Sequence, residues 1–179
     1  MSLRIQEVRK GSQISENVKC LMQAVFPEDE LVSYRLLLDL SEQDGVSFQA
    51  FFDEDSFCGL AYWMEHDGLV YLLYLAVAPT VQSKGYGTQI LNSLKLQNPG
   101  KTIMLEAESV REAADNASQR RRRIAFYEKN GFEVLDFRAN DDGRIYDALA
   151  FAGRPSGADF IALLEHFSPE MASAVQILD

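Results

Sequence analysis

Two glycines near the middle of the chain lie in Gln82-Ser83-Lys84-Gly85-Tyr86-Gly87-Thr88, where an apolar run gives way to an amphipathic one. Amide N–H groups at the start of a helix lack carbonyl partners, and the helix dipole is positive there. A phosphate therefore binds such a place without any side-chain charge. Glycine also lets the backbone approach a ligand closely. By themselves the two glycines fit a plain strand-to-helix turn equally well. They do not make a Walker loop, which needs Gly-x-x-x-x-Gly-Lys-Ser/Thr, and the three-glycine spacing of a dinucleotide fingerprint is absent.

Other side chains carry chemistry of their own. Tyr127 offers a phenol whose reference pKa, about 10, keeps it protonated near neutral pH, so it is either a proton donor rather than a base or a helix tyrosine packed on the sheet. Glu106 and Glu108 share one face of a strand by its period of two, as a base or as a solvated or ion-paired couple. Lys84 is a cation beside the glycines or a solvated loop lysine. Arg120 to Arg123 form the one basic cluster. Four consecutive helical residues spread around all faces, so only Arg120 and Arg123 share one, either for an anionic ligand or in ion pairs with nearby acids. His66 in a turn and His166 near the C-terminus show no triad or metal spacing and read as surface residues. Cys20 and Cys58 are far apart and read as reduced, buried thiols.

The elements that must position these groups follow from periodicity and breakers. Residues 71–77 are apolar or aromatic without interruption, the pattern of a strand covered on both faces, and Pro79 ends it. Ile90, Leu91 and Leu94 share a face of the helix that follows the glycines. Upstream, Leu3 to Arg9 reads as a strand. Ser15 caps a helix running to about Phe26 with Val18, Leu21, Met22 and Val25 on one face, and a second helix spans roughly Leu31 to Gln43. Val46–Phe52, Phe57–Glu65 and the central strand, joined by short turns, form an antiparallel meander. Thr102–Ala107 follows a helix and so lies parallel to the central strand. Residues 109–117 read as polar and irregular. A helix covers Ser118–Lys129 and stops at Asn130-Gly131. Phe132–Phe137 and Ile145–Phe151 form a hairpin, and 158–167 and 169–178 read as helices. The expected class is α/β (α+β): a mixed sheet of about seven strands, mostly antiparallel with a central splayed parallel pair, flanked by helices.

Gln82-x-x-Gly85-x-Gly87 behind an apolar strand resembles the acetyl-CoA pyrophosphate loop of the GNAT superfamily of N-acyltransferases. About forty residues on, Phe126-Tyr127-Glu128-Lys129-Asn130-Gly131-Phe132 closely resembles a second segment of that family, in the family's order. The resemblance covers roughly residues 3–152. It implies an acetyltransferase domain over 1–152, with 153–179 a C-terminal helical extension packed on it. It implies acetyl-CoA as acyl donor, held by Leu75, Ala76 and Val77 and by Gln82, Ser83, Lys84, Gly85, Tyr86, Gly87 and Thr88, with no metal. The pantetheine arm would pair like an added strand with the end of Leu75-Ala76-Val77. An N–H near Val77 would polarise the thioester carbonyl. Tyr127 takes the place of the tyrosine that points at the coenzyme sulfur. Some relatives use a glutamate on the fifth strand as base, here Glu106. The asparagine usual seven residues before the tyrosine is replaced by Arg120, a departure from the family's pattern. Tyr34 and Asp29 stand among contacts for the acceptor.

Seventeen basic against twenty-seven acidic residues give a formal net charge of −10, which argues against nucleic acid and suits a cationic partner such as an amine. With no apolar run approaching 18 residues and no secretion signal, a cytoplasmic protein away from the membrane is expected. The homodimer is left open. The expected activity is transfer of an acetyl group to a primary amine by direct attack. The alternative is a non-catalytic acyl-CoA-binding module, kept open because the central strand carries no carboxylate.

Overall fold

The computed structural model describes residues 3–111 and 113–179. The chain runs through strand β1 (Arg4–Glu7), helices α1 (Gln13–Val25) and α2 (Tyr34–Leu40), and strands β2 (Val46–Asp53), β3 (Ser56–His66) and β4 (Leu69–Val77). Helix α3 (Tyr86–Gln97), strand β5 (Thr102–Glu108), helix α4 (Ala117–Lys129) and strands β6 (Glu133–Asp141) and β7 (Arg144–Phe151) follow. Helices α5 (Gly157–Phe167) and α6 (Pro169–Ala174) and strand β8 (Val175–Leu178) end it. The sheet order is β1-β2-β3-β4-β5-β7-β6-β8, with β4 and β5 parallel. This is the mixed, mostly antiparallel sheet expected, with one strand more than the seven counted. The described chain divides into two compact units, Met1–Met64 with Leu73–Gln97, and Glu65–Leu72 with Asn98–Asp179.

In the first unit, β2 and β3 pair antiparallel from Val46↔Met64 to Asp53↔Ser56. Their apolar faces bury Phe48, Phe51, Leu60 and Tyr62 together with Val18 and Met22 of α1 and Leu37 of α2. Tyr62 keeps its hydroxyl satisfied by donating to the Leu37 carbonyl at 3.1 Å. Ile90, Leu91 and Leu94 of α3 are fully buried, as their spacing predicts.

Three local expectations fail here. Helix α1 begins at Gln13 after Ser12, not at Ser15. Ser15 is buried, and both its hydroxyl and its carbonyl oxygen meet the Tyr34 hydroxyl, at 3.0 and 2.7 Å. The helix expected over Leu31–Gln43 is only the seven residues of α2. The Tyr74 hydroxyl donates to the carbonyl of Glu30, the last residue of a 3₁₀ turn, and accepts from the Val32 N–H, holding Leu31 and Val32 outside the helix. Cys58 is buried as expected, but Cys20 is exposed, because it lies off the apolar face of α1.

In the second unit, β5 pairs antiparallel with β7, from Ile103↔Phe151 to Glu108↔Tyr146. The β6–β7 turn places Asp142 and Gly143 at φ of 46° and 88°, a conformation that Asp-Gly favours in a two-residue hairpin. The strands extend to that turn, further than the hairpin expected. Buried Phe160, Leu163 and Leu164 give α5 an apolar face. A capping box links Ser156 and Asp159 at its start. The helix expected over 169–178 stops at Ala174, and Val175–Leu178 pair with β6 instead. Glu112, inside the segment expected to be irregular, lies outside the described residues.

Candidate functional site

The residues expected to hold a cofactor are contiguous in the first unit. Leu75, Ala76 and Val77 end β4. From Leu73 onward the alternate side chains Leu73, Leu75 and Val77 are partly exposed, whereas Leu69–Leu72 are buried. The parallel ladder with β5 ends at Leu72↔Leu105. Ala78 N–H donates to the Cys58 carbonyl at 2.8 Å. Successive strand amides point to opposite edges, so Val77 N–H points away from β3.

A single 3₁₀ turn, Pro79–Val81, carries the chain into the loop. Gln82, Ser83, Lys84 and Gly85 are exposed. Ser83 and Gly85 adopt left-handed φ of 65° and 81°. Gly85 tolerates this, while for Ser83 it is a sparsely populated conformation of the kind found at binding loops. A Cβ on Gly85 would meet nothing within 4 Å, so the space above the loop is open. Among the described residues, the amides of Tyr86, Gly87 and Thr88 in the first turn of α3 have no protein acceptor, while Gln89 N–H already bonds back to Gly85. Open space and unpaired amides at a helix start fit a diphosphate. The Tyr86 side chain is engaged elsewhere: its hydroxyl donates to Asp53 Oδ2 at 2.6 Å, and that bond pushes its pKa up to about 12.

One neighbour of this strand end was missed by sequence reasoning. Gly59 on β3 lies so close to the Ala76 carbonyl oxygen that a Cβ there would overlap it and press on Ile90. A glycine inside an otherwise apolar strand was the available signal for this close approach.

Glu106 and Tyr127 belong to the second unit. Glu106 is the first β5 residue beyond the β4 ladder and lies opposite Ala148 of β7. It accepts a hydrogen bond from the Tyr71 hydroxyl through Oε2 at 2.7 Å. Its Oε1 is shielded from solvent with no protein partner, although the residue as a whole keeps intermediate exposure. Burial pushes its pKa up to about 7; the Tyr71 bond opposes that rise and Asp141 adds to it. Sequence reasoning missed Tyr71, which it read only as part of an apolar run.

Tyr127 is 8% exposed on α4 and packs edge-on against Phe126 and Phe132, with ring centroids 5.2 and 5.8 Å away. Gly131, at φ 84°, ends the helix, and Phe132 N–H bonds back to the Tyr127 carbonyl at 3.1 Å. Burial raises the phenol pKa to about 12, against a smaller opposing effect of Arg123. Tyr127 and Glu106 share no hydrogen bond.

Glu108 does other work. It is buried and meets Arg120 at 2.9 Å, Arg123 at 3.6 Å and Arg144 at 3.9 Å. Arg120 also donates to the Ser109 carbonyl and to Asn116 Oδ1. Arg120 and Arg123 are thus tied to a nearby acid, while Arg121 donates to the Ser118 hydroxyl. The Tyr34 hydroxyl, offered as an acceptor contact, is held by Ser15. His66 and His166, far apart in the chain, stack on each other with ring centroids 3.7 Å apart.

Among the described residues no helix is long and apolar enough to cross a membrane. No curated protein sequence is significantly similar to this chain. Among solved structures, a protein from Bacteroides thetaiotaomicron assigned to the GNAT family superposes with a TM-score of 0.74 at 21% identity, covering 90% of this chain and 96% of its own. An aminoglycoside 6'-N-acetyltransferase complexed with coenzyme A superposes with a TM-score of 0.65 at 18% identity, covering 86% and 99%. A ribosomal-protein alanine N-acetyltransferase from Escherichia coli superposes at 0.61 and 20% identity, covering 87% and 96%. Residues 44–134 match the acetyltransferase (GNAT) domain, a span that holds β2 to α4 with both motifs. With that match over half its length and the mixed sheet described above, the chain belongs to the GNAT family of acetyltransferases.

Proposed function

We propose that the chain transfers an acetyl group from acetyl-CoA to a primary amine by direct attack, with Glu106 as general base and Tyr127 as general acid. The observation that carries this reading is the set of unpaired amides at Tyr86, Gly87 and Thr88 beside the open left-handed loop. Those amides, with Ser83, Gly85 and the exposed Lys84, would hold the diphosphate. Gln82 would border it, and the edge of Leu75–Val77 would hold the pantetheine amides. Bound acetyl-CoA supplies the thioester that the amine attacks.

A free alkyl amine is mostly protonated at pH 7, so a proton must leave before nitrogen can form its bond to carbon. A carboxylate with pKa near 7 is matched to that task. Its Oε1 is the oxygen left without a protein partner. Val77 N–H would donate to the carbonyl oxygen as negative charge develops there. As the carbon–sulfur bond breaks, Tyr127 would give its proton to the departing thiolate and be reprotonated by the second proton that the attacking nitrogen sheds as the amide forms. A phenol held near 12 stays protonated throughout the neutral range and is available for that step. A cationic acceptor suits a chain of net charge −10. Among neighbours of this fold, one is named for aminoglycosides and another for a ribosomal-protein alanine.

The test mixes the protein with acetyl-CoA and a panel of amines and follows release of free thiol. Saturable turnover on at least one amine, lost in Glu106→Gln, is expected. Saturable coenzyme A binding with no turnover on any amine would favour a non-catalytic acyl-CoA-binding module instead.

A further inference from the structure

Helix α5 lies beyond the 44–134 span of the family match, yet it reaches the residue next to the proposed base. The Phe160 ring, fully buried on α5, packs edge-on against the Tyr71 ring with centroids 4.8 Å apart. Tyr71 is 5% exposed and donates through its hydroxyl to Glu106 Oε2 at 2.7 Å. We propose that Tyr71 is a positioning residue for Glu106 and that Phe160 of α5 holds Tyr71 in place, so that the C-terminal extension sets the base. The inference rests on the reading of Glu106 as base.

The chemistry follows from which oxygen is taken. A carboxylate that accepts a hydrogen bond through Oε2 has its rotamer fixed and its charged form favoured. The other oxygen, Oε1, is left with no protein partner and out of solvent's reach. Without Tyr71 the carboxyl would be free to rotate, and burial would act on it unopposed. The groups around Glu106 leave few other ways to favour its charge. Its cross-strand partner on β7 is Ala148. Asp141 on β6 opposes ionisation. Glu108, two residues along the same face of β5, meets Arg120 and Arg123 of α4 and Arg144 of β7. On α5, Phe160 is apolar, and Asp159 is engaged by Ser156 in the capping box.

The test uses the full chain with Tyr71→Phe and Phe160→Leu, each checked for folding by circular dichroism. Isotope-edited infrared titration of the Glu106 carboxyl, identified by its loss in Glu106→Gln, is the first readout. The pH profile of kcat/KM for the amine is the second. Tyr71→Phe should move the carboxyl midpoint upward by about one pH unit, which lowers the rate on the acid limb about tenfold, with KM for acetyl-CoA unchanged. Phe160→Leu should move it the same way by less. An unmoved carboxyl midpoint in folded Tyr71→Phe would overturn the positioning role. If Glu106→Gln kept full activity while Tyr71→Phe still moved the midpoint, Tyr71 would be confirmed as the partner of that carboxyl and the assignment of Glu106 as base would fall.

Discussion

Replacing Glu106 by glutamine removes a charge that the parent protein must bury above neutral pH. The folded carboxyl titrates near 7 against 4.5 for the reference group. The native state therefore holds its proton more tightly than the unfolded chain does. The sign follows from linkage. Stability contributed by this group is fully present below pH 4.5 and is lost as pH rises to about 7, above which the loss is complete. A gap of about 2.5 pH units, at about 1.4 kcal/mol each, gives roughly 3 kcal/mol. At about 2–4 °C per kcal/mol for a chain this long, the difference in Tm between variant and parent should grow by about 6–12 °C between pH 4 and pH 8.5. Glutamine has no such titration, so the change belongs to the parent's curve. Differential scanning calorimetry of both proteins across that range measures it. A difference in Tm that stays flat with pH would refute the burial argument, and with it the reason for choosing Glu106 over any solvated glutamate.

Three further substitutions separate chemistry from scaffold. Tyr127→Phe should lower kcat about 10²-fold or more, with KM for acetyl-CoA little changed, and a variant as active as the parent in steady-state assays would remove the acid role. Gly59→Ala forces a methyl group onto the Ala76 carbonyl and Ile90. It should cost about 2 kcal/mol or more in urea unfolding, and an unshifted midpoint would contradict the close approach. Glu108→Ala strands Arg120, whose guanidinium is largely buried, and should destabilise by about 3 kcal/mol. The fraction still folded should keep the parent's pH profile, which distinguishes this glutamate from its neighbour two residues away.

The readable parts of this protein were those where one stretch of chain decides its own structure. Asp67-Gly68 and Asp142-Gly143 mark their hairpins because both adopt the left-handed φ pairs such turns need. Ile90, Leu91 and Leu94 face the core because the helical period puts them there. The loop from Gln82 to Thr88 was legible for the same reason, as was the helix stop at Gly131. What could not be read depends on contacts distant in sequence. Tyr74 reaches back 44 residues to Glu30 and shortens the second helix. The register Tyr71↔Met104 brings a phenol to Glu106, and no local pattern encodes a parallel register. Val175–Leu178 looked helical from its own residues but pairs with β6 along the sheet edge. Arg120 and Arg123, which suggest an anion site when read alone, are taken up by Glu108 across a strand and a helix.

A diphosphate resting on the backbone amides at the start of α3 must perturb those amides before any others. The most direct measurement is a coenzyme A titration of the isotope-labelled protein followed by amide NMR, repeated with Gly85→Val. The largest saturable shifts are expected at Ser83 to Thr88. Binding in the variant should be at least tenfold weaker, because valine disfavours the φ of 81° that the loop adopts. Shifts concentrated elsewhere, with these amides unmoved at saturation, would contradict it.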